Sequence, residues 1–256
     1  MKRTETIPAS PVILITGAGK GIGKAIAQEF CIRNSTKLTQ SGQEFRPKLF
    51  LNSRTKSDLD AVHKLCGDAG VPCEIAVADL STTAAVNAVF DACLKTFGTI
   101  DCLVNSAGVG RWGDFSSLTE SDFDYVMATN LKGLFFLTQK IYAVMEKKKA
   151  GHVFFVTSVA AEKPFEQSAI YCMSKFAQKG FLEVLRLYGR KNGIRITNVM
   201  PGAVETPIWG PVNEETRARM MQPEDVAVAI LDAYLQPTRT SVEEIVLRPV
   251  SGDLQD

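Results

Sequence analysis

A tyrosine and a lysine four residues apart, Tyr171 and Lys175, are the residues with the clearest chemistry in this 256-residue sequence. At this spacing on a helix the two side chains share a face. A free tyrosine has a pKa of about 10, and a neighbouring ammonium favours the tyrosinate and lowers that pKa. The pair therefore predicts an acid–base group that titrates nearer to working pH, with Tyr171 transferring the proton.

Ser158 lies thirteen residues before Tyr171, at the end of an apolar, strand-like run. Its hydroxyl can donate a hydrogen bond to an oxygen atom on which charge develops during a reaction. Reduction of a carbonyl needs a hydride at carbon and a proton at oxygen. These side chains can protonate the carbonyl oxygen and donate a hydrogen bond to it. We expect Ser158, Tyr171 and Lys175 to be catalytic, and Ser158 and Tyr171 also to contact the substrate.

A glycine-rich run follows the first apolar segment and leads into a helical pattern. Glycine allows a tight turn and lets backbone N–H groups approach a pyrophosphate, while the helix N-terminus adds partial positive charge. The position between a strand and a helix distinguishes this run from an ordinary turn. We expect dinucleotide binding by Gly17, Gly19, Lys20, Gly21, Ile22 and Gly23.

Short β-branched runs alternate with amphipathic helical stretches along the chain. The strand-like runs are 12–15, 48–52, 73–78, 101–105, 152–157, 195–200 and 244–247, and helical periodicity covers, among others, 21–33, 81–97, 119–145 and 169–188. This alternation predicts βαβ units around a buried parallel sheet. We expect an α/β fold, a single Rossmann-type domain over residues 1–256 with a doubly wound parallel sheet of about seven strands.

Two segments interrupt the alternation. Residues 34–47 are polar and longer than the usual helix-to-strand connection, which predicts a surface insertion. Residues 201–222 contain three prolines, two glycines and Trp209 and follow a strand end. Ligands bind at such strand ends in open α/β sheets, so we expect this segment to be a substrate lid.

The glycine run reads T-G-x-x-x-G-x-G from Thr16 and resembles the short-chain dehydrogenase/reductase family. Further motifs of that family follow in order over nearly the whole chain: Asp79-Leu80, Asn105-Ser106-Ala107-Gly108, Asn130, Ser158, the Y-x-x-x-K of Tyr171 to Lys175, and Pro201-Gly202. Serine stands at the second asparagine of the family's N-N-A-G.

The resemblance implies further roles for these positions. It implies cofactor contacts from Asp79, Leu80, Asn105, Ala107, Gly108, Tyr171, Lys175, Pro201, Gly202, Val204 and Thr206. In the family the lysine also binds the nicotinamide ribose. Asn130 is implied to be catalytic, by holding a water molecule in a proton relay behind Lys175.

The residues after the second strand-like run indicate which nicotinamide cofactor is used. That run is followed by Ser53 and Arg54, without the acidic residue that grips the ribose 2′-hydroxyl in NAD enzymes. Arg54 can offer a 2′-phosphate a planar, charged fork, and Lys20 a second positive charge. We therefore expect NADP(H).

The substrate is less well indicated. Phe165, Trp209 and Asp253 are the candidate binding residues, with Arg111 and Trp112 after the fourth strand as further candidates. The segment 34–47, Arg54 and the tail 247–253 resemble family members that reduce a side-chain ketone of a pterin in tetrahydrobiopterin synthesis. In those members a C-terminal carboxylate anchors the pterin, which implies this role for Asp253.

Two alternatives remain open at this point. The first is a general carbonyl or 3-oxoacyl reductase, and an enzyme acting on an acyl-carrier protein would need a basic docking patch, for which Arg111 and Lys163 are the candidates. The second is a non-catalytic NADP-binding scaffold. No residue favours it, because all four candidate catalytic positions are filled.

Composition excludes several other classes of function. The 29 basic and 28 acidic residues give no electrostatic reason to expect nucleic acid or an anionic membrane as partner. No apolar run approaches the length of a signal-peptide core or a membrane span. The six cysteines are scattered and the two histidines lack partners at ligand spacing, so we expect free thiols, no metal and a cytoplasmic location. The helical stretches 119–145 and 169–188 resemble those that pair subunits in the family, which implies a homodimer or homotetramer.

Overall fold

Seven strands form one sheet in the computed structural model, which describes residues 7–38 and 42–254. The strands are β1 Val12–Thr16, β2 Lys48–Ser53, β3 Cys73–Val77, β4 Cys102–Asn105, β5 Gly151–Val156, β6 Ile194–Pro201 and β7 Glu244–Leu247. Their order is β3-β2-β1-β4-β5-β6-β7, and every neighbouring pair is parallel. The expected single-domain, doubly wound α/β fold is confirmed.

Eight α-helices connect or follow these strands in the described part of the chain. They are α1 Gly21–Ile32, α2 Lys56–Asp68, α3 Thr83–Phe97, α4 Glu120–Met127, α5 Leu134–Lys148, α6 Ala169–Asn192, α7 Glu214–Ala218 and α8 Pro223–Tyr234. None of the helices described is both long enough and apolar enough to cross a membrane.

The single helix expected over 119–145 is instead divided. A π-helical turn, Ala128–Gly133, separates α4 from α5. At the end of this turn Gly133 passes so close to the segment after β3 that a Cβ atom on it would lie 1.9 Å from the Leu80 carbonyl oxygen. A side chain cannot fit there, so the contact with Leu80 depends on glycine. Such π turns inside helices are frequent at functional sites.

The strands send alternate side chains to the two faces of the sheet. Ile13 and Ile15 of β1 pack into one apolar cluster with α1, α2 and α8, whereas Val12 and Leu14 pack into a second with α3, α5 and α6. All of β1 is buried. This burial on both faces explains why the central strands are continuously apolar rather than alternating.

The segment 34–47 contributes to the core as well as to the surface. Among its described residues, Leu38 and Phe45 are buried, and the Phe45 ring packs against Phe30 at 6.3 Å and Tyr234 at 6.1 Å between centroids. Residues 39–41 lie outside the described part. The expected surface insertion is therefore anchored by a buried aromatic ring beneath it.

The segment 201–222 leaves the carboxyl end of β6 and returns to it. The Glu205 N–H donates to the Met221 carbonyl at 2.9 Å, and the Met221 N–H donates to the Ala203 carbonyl at 3.0 Å. These two bonds hold the ends of the segment together. Between them lie a 3-10 turn, Pro207–Trp209, and the short helix α7.

Candidate active site

The candidate site residues lie at the carboxyl edge of the sheet, because in parallel strands every strand-to-helix connection leaves from that edge. β1 lies between β2 and β4, so the connections from β1 and β4 start side by side. In open α/β sheets this is the crevice in which ligands bind.

The glycine loop after β1 packs directly against the loop after β4. Gly17 has φ +66°, and a Cβ atom on it would lie 2.8 Å from the Ala107 backbone nitrogen. A Cβ atom on Gly23 would lie 2.3 Å from the Gly17 carbonyl oxygen. Both contacts exclude a side chain, so these glycines bring bare backbone to the crevice.

The N-terminus of α1 fits an anionic group. Its N-cap residue, Lys20, makes no side-chain capping hydrogen bond, and the first turn contains no acidic residue. The first amide N–H groups of a helix have no partner within the helix, and the helix dipole favours negative charge there. The Lys20 amine lies 3.2 Å from the Asp58 carboxylate, at the side of the loop. A dinucleotide pyrophosphate fits this cradle.

The segment after β4 is fixed to β1 by Thr16. The Thr16 hydroxyl oxygen accepts from the backbone N–H groups of Ser106 at 3.1 Å and Ala107 at 3.0 Å. Asn105 donates to the Thr138 hydroxyl at 2.9 Å, while its own side-chain oxygen is buried without a hydrogen-bond partner among the described residues. Gly108 follows beside the Lys175 amine, 3.8 Å from where its Cβ would stand.

Arg54 follows β2 and is held by two neighbours. Its guanidinium donates to the Tyr125 hydroxyl at 3.3 Å and lies 3.9 Å from the Asp79 carboxylate. These partners raise the pKa of Arg54, the Tyr125 hydroxyl most. Asp79 also accepts from the Ser81 N–H at 3.0 Å, and Leu80 is buried against the π turn. Arg54 is thus positioned and half-exposed at the crevice.

Ser158, Tyr171 and Lys175 converge at the ends of β5 and α6. Tyr171 lies in the first turn of α6 and is hydrogen-bonded to the Ser158 hydroxyl. One turn further along, the Lys175 amine lies 5.4 Å from the Tyr171 ring centroid and donates to the Val156 carbonyl at 3.1 Å. The Lys175 side chain is almost fully buried, with 3% of its surface exposed.

The pKa values of this pair differ from the sequence expectation. Burial raises the pKa of Tyr171 to about 12, an effect that the Ser158 hydrogen bond only partly offsets. Burial also lowers the pKa of Lys175 to about 7. Because Lys175 is only partly protonated at neutral pH, it does little to stabilise a tyrosinate. The expected lowering of the Tyr171 pKa is therefore absent. The hydroxyl is a protonated donor at neutral pH.

Asn130 lies in the π turn, facing α6. Its side-chain oxygen accepts from the Val109 N–H at 2.8 Å, and its amide donates to the Val109 carbonyl at 2.9 Å and the Ser174 hydroxyl at 3.0 Å. The Asn130 backbone carbonyl accepts from the Gln178 amide. The side chain is therefore fully used in fixing the β4 loop to α6.

The tail of the chain returns to the loop between Ser158 and Tyr171. The Asp253 carboxylate is buried, 3.7 Å from the Lys163 amine and 3.4 Å from Arg248. The Lys163 amine in turn lies 5.9 Å from the Phe165 ring centroid. Two of the expected substrate residues, Phe165 and Asp253, are thus joined through Lys163.

The first half of the segment 201–222 lies against the glycine loop. A Cβ atom on Gly21 would lie 3.0 Å from the Thr206 methyl carbon. The Trp209 indole donates to the Val204 carbonyl at 3.0 Å and remains partly exposed, and the Gly202 N–H donates to the Leu247 carbonyl at 2.7 Å. The backbone therefore runs from the end of β6 to the glycine loop through Pro201, Gly202, Val204 and Thr206.

Tyr125 is a site residue that sequence reasoning missed. Its hydroxyl holds Arg54, and its ring stacks under the Arg111 guanidinium at 4.1 Å. The contact joins α4 to the end of β2, 71 residues away, and no local pattern reports it. Gln178, which donates to Asn130, was missed for the same reason.

Comparison with known proteins defines the class. The family described as short chain dehydrogenase matches residues 11–217. The chain belongs to this family and is an oxidoreductase of the short-chain dehydrogenase/reductase type.

Individual relatives narrow the comparison. The chain is 54% identical over 245 residues to sepiapterin reductase of Chlorobaculum tepidum, covering 96% of this chain and 98% of the relative. Alcohol dehydrogenase from the archaeon Thermococcus sibiricus, complexed with 5-hydroxy-NADP, superposes with a TM-score of 0.83 at 25% identity. A metagenomic short-chain oxidoreductase in complex with NADP superposes with a TM-score of 0.77 at 28% identity. Each structure covers 94% of this chain and 97% of its own.

The lowered pKa of Lys175 predicts a pH-dependent stability. An unfolded lysine keeps its proton up to a pKa of about 10.5, whereas the folded one loses it near pH 7. Between these values the unfolded state binds more protons, so the free energy of unfolding rises with pH. From pH 7 to 9 this contribution grows by about 2 kcal/mol and is absent in Lys175→Met.

The measurement is urea unfolding of both proteins, without cofactor, at pH 7 and pH 9. Buried thiols such as Cys93 and Cys102, whose pKa values burial raises, act in the opposite direction. They are present in both proteins, so the comparison isolates Lys175. Parallel pH dependences would contradict the buried, weakly basic lysine.

Proposed function

We propose that this protein is an NADPH-dependent carbonyl reductase whose proton donor is Tyr171. The observation that supports this most directly is the meeting of Ser158, Tyr171 and Lys175 beside the glycine cradle. The Tyr171 and Ser158 hydroxyls are hydrogen-bonded to each other, so both lie at one point of the site. A carbonyl oxygen that binds at this point can accept a hydrogen bond from each of them.

Bound NADPH supplies the hydride. Tyr171, protonated because burial raises its pKa to about 12, donates its hydroxyl proton to the substrate oxygen. Ser158 donates a hydrogen bond to the same oxygen as negative charge develops. The Lys175 amine, fixed by the Val156 carbonyl, lies behind the Tyr171 ring and is placed to contact a nicotinamide ribose. Asn130 supports this arrangement by holding the β4 loop against α6, where the resemblance places a relay water.

Replacing Tyr171 by phenylalanine tests the proposal. Tyr171→Phe removes the transferable proton while keeping the ring, so kcat should fall about 10²- to 10⁴-fold while NADPH still binds. The measurements are NADPH oxidation with a diketone and NADPH binding by fluorescence. Tyr188→Phe, which removes a hydroxyl near the other end of the same helix and keeps the apolar ring, is the matched control. Near-normal turnover of Tyr171→Phe would remove Tyr171 from the mechanism, whereas NADPH binding without any turnover by the unaltered protein would favour the non-catalytic scaffold.

Cofactor preference is assigned to Arg54, with Lys20 contributing from the glycine loop. Arg54 is half-exposed at the end of β2 and positioned by Tyr125, so its guanidinium can grip a 2′-phosphate as a bidentate donor. The NADP complexes of similar structures support this choice. Arg54 is also close to Asp79, which would lie along the adenosine half of the cofactor.

Reversing the charge at residue 54 is expected to change the cofactor. Arg54→Asp should lower kcat/KM for NADPH by about 100-fold and improve use of NADH, because the carboxylate repels a 2′-phosphate and accepts from a 2′-hydroxyl. Lys56→Asp makes the same charge change two residues away and is the control. Equal use of NADPH and NADH by the unaltered enzyme would contradict the assignment of NADPH preference to Arg54.

For the substrate we propose a pterin that carries a side-chain ketone, as in tetrahydrobiopterin synthesis. The 54% identity to a sepiapterin reductase over nearly the whole chain supports this. The return of Asp253 to the loop that carries Phe165 supports it as well. The Asp253 carboxylate would exchange Lys163 for the guanidine-like edge of the pterin, with Phe165 and Trp209 enclosing the ring system.

The alternative 3-oxoacyl reductase is less well supported. It needs a basic docking surface near the site, and both candidate cations already have partners. Arg111 lies 3.2 Å from the Asp122 carboxylate, and Lys163 pairs with Asp253.

A substrate panel separates these possibilities. With NADPH, kcat/KM should be higher for sepiapterin than for an acetoacetyl thioester or butane-2,3-dione. Asp253→Asn should raise the KM for sepiapterin about 10- to 100-fold, because a charged hydrogen bond is lost. Lys163→Gln removes the ion pair but keeps the carboxylate, and it should retain sepiapterin reduction. Failure on sepiapterin with fast thioester reduction would reverse the substrate assignment.

We also propose a homodimer formed through α5 and α6. Phe135 of α5 packs against Phe181 of α6 at 4.9 Å, and large apolar side chains of both helices are exposed: Phe135, Phe136, Met173, Phe176, Val184, Leu187 and Tyr188. Such a stripe fits a second copy, and two such dimers would make the alternative homotetramer. Light scattering at the 27.9 kDa mass of one chain would contradict either assembly.

A cytoplasmic location is part of the same proposal. All six cysteines are free thiols, five of them buried, which fits a reducing compartment. A disulfide in protein isolated from cells under alkylating conditions would contradict it.

A further inference from the structure

We propose that Trp112 forms one wall of the substrate site and selects ketones that carry a flat ring. This inference rests on the proposed reductase function and assigns a specificity-determining residue to it. Trp112 lies in the loop between β4 and α4. Its ring centroid is 4.9 Å from that of Tyr171, in an edge-to-face arrangement with an interplanar angle of 62°.

Gly110 holds the indole in this position. A Cβ atom on Gly110 would lie 2.5 Å from one carbon of the indole six-membered ring and 2.9 Å from the next. The ring therefore lies directly on the Gly110 backbone, and a methyl group there would push it away. Gly110 does not have the positive φ found at Gly17 and Gly21, so alanine there conflicts with the indole rather than with its own backbone.

The loop that carries Trp112 is fastened on both sides. Arg111 points away from the site, to the Asp122 carboxylate and the Tyr125 ring. The Gly113 N–H donates to the Gln167 carbonyl at 3.0 Å, and the Gln167 amide donates to the Asp114 carboxylate at 3.2 Å. Gln167 lies four residues before Tyr171. The loop is thereby attached to the segment that leads into the catalytic helix.

Although one part of the indole packs on Gly110 and Tyr171, 47% of Trp112 is exposed. An exposed tryptophan beside a proton donor offers an apolar, polarisable surface at the point where the carbonyl oxygen must bind. A planar ring attached to that carbonyl can pack on the indole, whereas a methyl group in its place gains little contact area. Trp209 is held differently, by its hydrogen bond to the Val204 carbonyl.

Two vicinal diketones with the same reacting group test this assignment without a pterin. They are 1-phenylpropane-1,2-dione, which carries a ring, and butane-2,3-dione, which carries a methyl group. In Trp112→Ala the ratio of kcat/KM for the phenyl ketone to that for the methyl ketone should fall about 10- to 100-fold. The loss should lie mainly in the KM of the phenyl ketone, and Trp112→Phe should restore most of the ratio.

Gly110→Ala supplies a second, independent variant. It should lower the same ratio by displacing the indole, and the double variant Gly110→Ala with Trp112→Ala should be no worse than Trp112→Ala alone. Additive losses would mean that residue 110 acts through the backbone and would overturn the proposed contact.

The outcomes separate the two levels of inference. If the unaltered protein reduces neither diketone, the proposed reductase function fails. If it reduces both and Trp112→Ala leaves the ratio unchanged, or lowers kcat equally for both, Trp112 does not select the substrate and this inference alone is overturned.

Discussion

The site depends on a bare backbone contact at the point where β1 and β4 diverge. Gly17, with φ +66°, lies so close to Ala107 that no side chain fits between them, and the Thr16 hydroxyl ties the two loops together. This contact sets the width of the crevice at the carboxyl edge of the sheet. A larger residue at position 17 would separate the glycine loop from the loop that runs on to Trp112, and the crevice between them, in which ligands bind in open α/β sheets, would be distorted.

Low polarity around Tyr171 and Lys175 governs the acid–base chemistry of both side chains. Burial stabilises the neutral forms of both side chains, so Tyr171 keeps its proton and Lys175 holds one only weakly near neutral pH. The proposed carbonyl reduction needs a protonated donor at the moment of hydride transfer, and this environment keeps Tyr171 protonated. The lysine is fixed mainly by the Val156 carbonyl, which places its amine whether or not it is charged.

The loops around this pair are joined to one another by contacts between distant parts of the chain. Tyr125 connects Arg54, on the cofactor side, with Arg111, whose neighbour Trp112 packs on Tyr171. On the other side, Asp253 reaches the loop after Ser158 through Lys163. The residues proposed to select the cofactor and to form the substrate wall therefore share one scaffold of packed side chains, which a rigid active site requires.

The seven strands to within a residue or two, the α/β fold and the family follow from the amino-acid pattern, because strand periodicity and glycine turns are local properties. The pattern also identified the residues that the fold assembles at the carboxyl edge. Four features are visible only in the folded chain: the π turn before α5, the burial of Phe45, the raised pKa of Tyr171 and the return of Asp253 to Lys163. Each of these depends on how closely segments far apart in sequence approach one another, and a linear pattern does not contain that distance.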